Sequence, residues 1–154
     1  MRLRAVIFED DAALRQALWS LCDRRGYEVF TFPDPGLCPL HVMDGCPCAA
    51  GITCTDIIIS DLRMPLVQGL DFVEELSLKH CAAPHIALMS GTWSEAEEAR
   101  AARLGCRVFH KPFSIAEVHG WFTKVEFLVS PDRGLLQWES CGWRGQTPTQ
   151  SASP

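Results

Sequence analysis

The stretch Asp-Ile-Ile-Ile-Ser-Asp at positions 56–61 decides the fold class of this chain. Consecutive isoleucines bounded by acids are typical of a short strand that is covered on both faces, here predicted over residues 56–60 with Asp61 directly after it. Four further strands are predicted from similar short apolar runs, at residues 3–8, 27–32, 85–89 and 107–110. Because segments with helical spacing separate these runs, the sequence predicts an α/β fold, a doubly wound five-stranded parallel sheet with helices on both faces.

Helix signals follow four of the five predicted strands. Ser94 with Glu97, and Ser114 with Glu117, form capping boxes, which predict where the last two helices begin. The helix after the third strand is predicted over residues 67–79 from the spacing of its apolar side chains. The inward stripe of the last helix is predicted to contain Ile115, Val118, Phe122, Val125 and Val129.

A segment rich in cysteine, proline and glycine, residues 33–55, follows the second strand where a second helix belongs. We expect this loop to replace or extend that helix. A chain of 154 residues has room for one domain, which is predicted over residues 1–129 with 33–55 as an insertion. Residues 130–154 are predicted to form a tail whose last ten residues are disordered, because they are polar and rich in serine and proline.

Composition argues against several classes of protein. The chain is 47% hydrophobic and 21% charged, and its apolar runs are too short to span a bilayer. A formal net charge of −5 disfavours nucleic-acid binding, which requires a basic face. The first residues lack the apolar stretch and cleavage site of an export signal, so we expect a cytoplasmic protein. Its eight cysteines are then expected to be thiols, metal ligands or redox groups.

Reactive side chains follow the predicted strands at the carboxyl ends, which meet at one edge of a parallel sheet. They are Glu9, Asp10, Asp61, Ser90 and Lys111. Carboxylates brought together at one edge repel each other unless a hard divalent cation lies among them, so the sequence predicts a Mg²⁺ site. With an ammonium group and a hydroxyl nearby, the group contains what a transferring phosphoryl group requires.

The order of these motifs resembles the receiver domain of bacterial two-component response regulators, and the resemblance covers residues 3 to about 128. The motifs that carry it are Glu9-Asp10, then Asp61-Leu62-Arg63-Met64-Pro65 with Gly69, then Ser90-Gly91, then Lys111-Pro112-Phe113. The resemblance implies the flavodoxin-like, CheY-like form of the doubly wound fold.

The resemblance also implies a role for each site residue. Asp61 is the implied phosphoacceptor, which takes its phosphoryl group from a sensor histidine kinase or a phosphotransfer protein and passes the signal to a downstream protein. The implied ligands of Mg²⁺ or Mn²⁺ are Glu9, Asp10, Asp61 and the backbone carbonyl of Arg63. Lys111 is expected to pair with the phosphoryl oxygens, and Ser90 to move toward them. Such a chain is not expected to be an enzyme in the usual sense. It catalyses phosphoryl transfer only to its own aspartate and hydrolysis only of its own phosphoryl group.

One position departs from the family pattern. Val108 stands three residues before the lysine, where the family usually has an aromatic switch residue, and Phe109 is next to it. Either Phe109 takes over the switch movement, or this receiver signals without that rotamer change. Arg63 and Thr92 occupy the two positions that tune hydrolysis in the family.

Four cysteines, Cys38, Cys46, Cys48 and Cys54, lie in the loop that replaces the second helix. They could close a tetrahedral Zn²⁺ site or hold an iron–sulfur cluster, which would order a segment with little apolar surface. Alternatively they are reduced cysteines packed against the sheet, or a reversible disulfide that senses redox state. Cys22 and Cys106 are expected in the core, whereas the sequence assigns no role to Cys81 or Cys141.

The favoured prediction is a stand-alone receiver that signals through protein contacts, since the tail is too short for a helix-turn-helix output domain. Apolar tail residues, Leu135, Leu136, Trp138 and Trp143, are expected to fold back on the domain. The alternative is a metal- or redox-responsive binding module that keeps the receiver scaffold and uses the cysteine loop. A phosphohydrolase of the haloacid dehalogenase type is disfavoured, because Arg63 stands where that family has its second aspartate.

Overall fold

The computed structural model describes residues 1–38, 41, 44–46, 48 and 51–137. Its centre is a parallel sheet of five strands in the order β2-β1-β4-β5-β6. These strands are β1 (Arg4–Phe8), β2 (Glu28–Phe32), β4 (Ile57–Asp61), β5 (His85–Ser90) and β6 (Arg107–His110). The doubly wound, flavodoxin-like fold predicted from the sequence is therefore confirmed.

The described residues form four α-helices, α1 (Ala12–Arg24), α2 (Gly69–Leu78), α3 (Glu95–Arg103) and α4 (Ile115–Leu128). The predicted capping boxes begin α3 and α4, because the Ser94 and Ser114 hydroxyls each accept from the amide three residues on and the glutamate returns the bond. In the loop after β2, the residues that are described include one turn of 3₁₀ helix, Pro35–Leu37. Across the described ranges, the helices are all too short or too polar to cross a membrane.

Both faces of the sheet are buried, and β4 shows the alternation most clearly. Ile57 and Ile59 pack with Phe122 on the face that α1 and α4 cover. Ile58 faces the opposite way and packs with Phe72 of α2. All three isoleucines are almost completely buried, which explains the continuous apolar run that predicted this strand.

A second, smaller sheet was not predicted. β3 (Ile52–Thr53) pairs in parallel with β7 (Gly134–Leu135), beyond the amino ends of the main strands. Leu135 is half-buried, and Leu136 packs against the cluster around Phe72. Trp138, Trp143, Cys141 and the last ten residues, about which the sequence made predictions, lie outside the described residues.

Two details differ from the sequence-based expectation. Asp61 is the last residue of β4 and not the first residue after it, so its backbone pairs with Met89 of β5. Ile115 is 62% exposed and does not belong to the inward stripe, whereas Val118, Phe122, Val125 and Val129 are buried as predicted. The reason is its position in the first turn of α4, which begins after β6 has ended and has less of the sheet beneath it.

Candidate acidic site at the carboxyl edge of the sheet

The five reactive side chains predicted from the sequence lie at the carboxyl edge of the main sheet. Asp61 and Ser90 end β4 and β5, while Glu9 and Lys111 directly follow β1 and β6. Ligand oxygens of Glu9, Asp10 and Asp61 all lie within 4.8 Å of one another. The side chains of Glu9 and Asp61 are buried, whereas Asp10 is exposed.

The carboxylate of Glu9 is held by its own turn and by α1. Its backbone amide donates to the carbonyl of Phe32 at 3.1 Å, and its Oε1 accepts from the amide of Asp11 at 3.1 Å. Asp11 in turn caps α1 by accepting from Leu14, and Arg15 donates to the Glu9 carbonyl at 2.7 Å. The turn between β1 and α1 therefore fixes the direction of the Glu9 side chain.

Lys111 supplies the positive charge of the site. Its backbone amide donates to the carbonyl of Ser90 at 2.8 Å, which fixes the loop after β6 against β5. Its Nζ lies 3.2 Å from Oε2 of Glu9 and 3.4 Å from Oδ1 of Asp61. One ammonium group thus contacts two of the three carboxylates.

Burial makes this site unfavourable for negative charge. It raises the pKa of Glu9 to about 7, although the Asp11 amide and Lys111 both act in the opposite direction. Burial also raises the pKa of Asp61, although Lys111 and the Arg63 backbone amide act in the opposite direction. A divalent cation would compensate these charges, and three carboxylates are the donors that Mg²⁺ prefers, so the residues present fit this ion.

The backbone beneath Asp61 admits only glycine at position 69. The Gly69 amide donates to the carbonyl of Leu62 at 2.9 Å. A Cβ atom on Gly69 would lie 2.5 Å from the Asp61 carbonyl oxygen and 3.0 Å from Cα of Leu62. The start of α2 is therefore packed directly against the backbone of the candidate phosphoacceptor.

Ser90 and the loop after it form a separate hydrogen-bonded unit. The Ser90 hydroxyl donates to the carbonyl of Thr92 at 2.8 Å and accepts from the Thr92 amide at 3.1 Å. Arg63 reaches across to the same loop, with Nη2 3.4 Å from the Thr92 carbonyl and 2.9 Å from Oε1 of Glu97. Arg63 and Thr92, which the family resemblance associates with hydrolysis, are therefore in contact.

Phe109 and Val108 face opposite sides of the sheet. Phe109 is 3% exposed and packs against Phe113 and Trp121 in the core under α4. Val108 packs with Trp93 against the cluster between α2 and α3. The indole N–H of Trp93 donates to the Phe109 carbonyl at 3.2 Å, so an aromatic side chain not singled out in the sequence occupies the Val108 side. In the sequence, the only feature that could have indicated Trp93 was its position three residues after Ser90.

Of the two cysteines expected in the core, Cys22 is buried and Cys106 is half-buried. Cys38 and Cys54 are buried, Cys46 and Cys48 are half-buried, and the described cysteines form no disulfide. Cys22 is in the core, while Cys106 is half-buried at the edge of the α2–α3 cluster. Cys38, Cys48, Cys54 and Cys81 all pack in the hydrophobic cluster around Phe72.

Comparison with known proteins places this geometry in a family. The model of the family described as "Response regulator receiver domain" matches residues 5–122. A probable transcriptional regulatory protein of Picosynechococcus sp. is 30% identical over 118 residues, which is 76% of this chain and 46% of the relative. The transcriptional regulatory protein PdtaR of Mycobacterium tuberculosis is 28% identical over 137 residues, 88% of this chain and 61% of that protein. The chain thus spans about half the length of the curated relatives it matches.

Solved structures agree on the fold. The non-phosphorylated HemR receiver domain from Leptospira biflexa superimposes with a TM-score of 0.70 at 24% identity, covering 84% of this chain and 98% of that one. Chemotaxis protein CheY4 of Vibrio cholerae gives a TM-score of 0.64 at 21% identity, covering 81% and 99%. With its family motifs gathered at the carboxyl edge of a five-stranded parallel sheet, this chain belongs to the response regulator receiver domain family of two-component systems.

Proposed function

We propose that Asp61 accepts a phosphoryl group from the phosphohistidine of a histidine kinase or phosphotransfer protein. The observation that carries this proposal is the contact of Lys111 with both Glu9 and Asp61 at the carboxyl edge of the sheet. It joins a buried carboxylate, a fixed cation and two further acids in one site.

The Asp61 carboxylate acts as the nucleophile. One of its oxygens forms a bond to phosphorus while the phosphorus–nitrogen bond of the donor histidine breaks, and the electron pair of that bond returns to the imidazole. The product is an aspartyl phosphate, which water later hydrolyses to phosphate and the free carboxylate. The Lys111 ammonium group, 3.4 Å from Oδ1 of Asp61, orients the carboxylate for this reaction.

Glu9, Asp10, Asp61 and the carbonyl of Arg63 are the groups that would hold Mg²⁺ or Mn²⁺. When bound, such an ion supplies positive charge at the transferring phosphoryl oxygens. Lys111 neutralises the remaining charge on that group from its place beside Asp61. Ser90 then exchanges its bond with Thr92 for one to a phosphoryl oxygen, which releases the loop that leads into α3.

The signal leaves through the face that contains α3, β6 and α4. Arg63 connects this face to the site through Thr92 and Glu97, and Trp93 connects it to the backbone of β6. A downstream protein that binds the phosphorylated arrangement more tightly shifts the population toward it. That this receiver works without an output domain stays a prediction. Measuring the mass of the native protein isolated from cells tests it.

The experiment is phosphorylation with phosphoramidate and Mg²⁺, followed by intact-mass measurement. We expect wild type to gain one phosphoryl group that hydroxylamine removes, and Asp61→Asn to gain none. Asp132→Asn, a change at an exposed acid far from the site, is the matched control and behaves as wild type. If wild type and Asp61→Asn both gain the group, or neither does, the assignment of Asp61 is wrong.

A further inference from the structure

A cavity of about 230 Å³ lies at the amino edge of the main sheet, opposite the acidic site. Its lining comes from β3, from the residues just before β4 and β5, and from the end of α4 with the turn that follows. Asp56 directly precedes β4, which ends at Asp61, so the cavity and the acidic site lie at opposite ends of one strand. We propose that the cavity binds a small uncharged aromatic lactam, a ring in which a carbonyl stands next to an N–H.

Apolar side chains form much of the wall, and some of them are open to solvent. Leu128 is 66% exposed and Ile52 is 36% exposed, although both line the cavity. Ala82, Pro84 and Val129 belong to the same wall. Small-molecule pockets generally have such a wall with a few polar groups among the apolar ones, because covering the apolar surface with a ligand is favourable. The ligand is therefore expected to have an apolar body.

The volume of the cavity limits the size of this body. An apolar cavity of about 150 Å³ holds benzene, whereas pockets for drug-sized ligands have volumes of about 300–1,000 Å³. At about 230 Å³ this cavity lies between the two. One substituted aromatic ring or a fused bicycle fits such a space, and a nucleotide is too large for it.

The charges in the wall balance each other, which favours an uncharged ligand. The Asp56 carboxylate is buried, and Arg133 donates to both of its oxygens at 2.8 and 2.7 Å. His85 is half-buried, and burial lowers its pKa, although Asp56 acts in the opposite direction, so its ring is neutral at pH 7. A charged ligand would leave an uncompensated charge beside this buried pair, which is costly.

Two polar side chains of the wall have hydrogen-bonding atoms to spare. Arg133 uses Nε and Nη2 on Asp56 and on the Arg2 carbonyl, which leaves Nη1 without a partner in the described part of the chain. The His85 ring likewise has no hydrogen-bond partner among the described residues. Arginine only donates, so a ligand must offer it an acceptor, and a neutral imidazole can accept from an N–H. The carbonyl and the adjacent N–H of a lactam satisfy both.

A ligand in this cavity would join segments that the fold brings together only at the amino edge. It would contact β3, His85 at the start of β5, and Leu128 at the end of α4. Binding to the folded chain alone raises its melting temperature. The site is distinct from the acidic group, so Asp61→Asn should bind the ligand as wild type does.

The test is a titration of the full ¹⁵N-labelled chain with 2-quinolone, an uncharged fused bicycle that carries the lactam edge. We expect saturable amide shifts at Thr53, His85 and Ser130, which line the cavity. The affinity should exceed that of quinoline, which lacks the carbonyl and the N–H, by about 10-fold. The melting temperature of the chain should rise with the concentration of 2-quinolone.

Three variants locate the site and test its polar groups. Ala82→Phe fills the cavity from an exposed position and should abolish binding. Phe127→Ala is the matched control, because this 90% exposed side chain is next to Leu128 but is not part of the lining. His85→Leu keeps an apolar side chain and loses the imidazole, so it should bind 2-quinolone and quinoline about equally.

Each result decides for or against the proposal. If Ala82→Phe does not fold, the loss of preference for 2-quinolone in His85→Leu, with unchanged preference in Phe127→Ala, supports it. A wild-type chain without saturable shifts at the three amides overturns it, as does undiminished binding in Ala82→Phe. Equal affinity of wild type for quinoline and 2-quinolone overturns the lactam assignment, and tighter binding of quinoline-2-carboxylate would show an anion site instead.

Discussion

Lys111 Nζ lies 3.4 Å from Oδ1 of Asp61, and the same ammonium group lies 3.2 Å from Oε2 of Glu9. The two carboxylates are buried, so each depends on this cation more than a surface acid would. The relationship links the end of β4 to the loop after β6. It also gives the first prediction.

Replacing Lys111 with Met should slow phosphorylation of Asp61 by about 100-fold, because the charge that neutralises the transferring group is lost. The rate is measured with phosphoramidate and Mg²⁺ by intact mass. Lys124→Met, at an exposed position on α4, is the matched control and should leave the rate unchanged. Equal rates in the two variants would remove Lys111 from the reaction.

Gly69→Ala should lower the free energy of unfolding by about 1–3 kcal/mol, because its Cβ meets the Asp61 carbonyl at 2.5 Å. Gly120→Ala makes a useful contrast, since it lies in the exposed part of α4 with nothing within 4 Å of a new Cβ. That change should stabilise the chain by up to about 1 kcal/mol. Urea unfolding measures the free energy of unfolding of both variants. If Gly69→Ala leaves that free energy unchanged, the start of α2 can shift to accept the new Cβ atom.

Arg133→Met should cost about 3 kcal/mol of stability, because it leaves Asp56 as a buried carboxylate without its cation. Arg133 donates to both oxygens of Asp56, at 2.8 and 2.7 Å, and the Asp56 side chain is 1% exposed. Thermal and chemical unfolding measure the loss. Arg103→Met removes an exposed arginine and should change little; a similar loss in both variants would mean that net charge, not this pair, is responsible.

Acid should weaken the contact between α1 and α4 through Glu126. Arg25 donates to both Glu126 oxygens at 2.7 Å and Tyr27 donates at 2.5 Å, and the Arg25 hydrogen bonds hold the pKa of Glu126 below its usual value. A carboxyl whose pKa is lower in the folded chain stabilises it above the unfolded pKa, and that stabilisation disappears as pH falls through the folded pKa.

The comparison is the unfolding free energy of wild type and Glu126→Gln as a function of pH. At neutral pH wild type should be more stable by about 1 kcal/mol, as for other partly exposed ion pairs. Well below pH 4 the difference should shrink toward zero, since Glu126 is then protonated. A difference that stays constant down to low pH contradicts the role given to Glu126.

The sequence predicted the main sheet because its signals are local. Runs of β-branched residues and the two capping boxes each specify an element without reference to the rest of the chain. The rule that parallel strands end at one edge then predicts that Glu9, Asp61 and Lys111 lie close together. Gly69 also stood in the motif, but its reason, the contact with the Asp61 carbonyl, needed the structure.

The features that the sequence missed depend on packing between distant segments. Strands β3 and β7 have two residues each, too few to show a period. Cys81 packs in the same cluster as the loop cysteines Cys48 and Cys54 because the end of α2 lies beside Cys46, which no spacing rule predicts. Trp93 donates a hydrogen bond to a backbone carbonyl of β6, and a backbone acceptor carries no sequence signature.

The pairing of β3 with β7 joins two segments that are far apart along the sequence. Few hydrogen bonds hold them together. The Gly134 amide donates to Gly51 at 3.0 Å, the Leu136 amide donates to Thr53 at 2.9 Å, and Arg4 donates to the Leu136 carbonyl. Because each strand has only two residues, this pairing should open well before the main sheet, and these two amides should exchange with deuterium early. Because Cys54 follows Thr53, each opening also gives solvent a route to the buried sulfur, and thiol alkylation should proceed at the frequency of this local event.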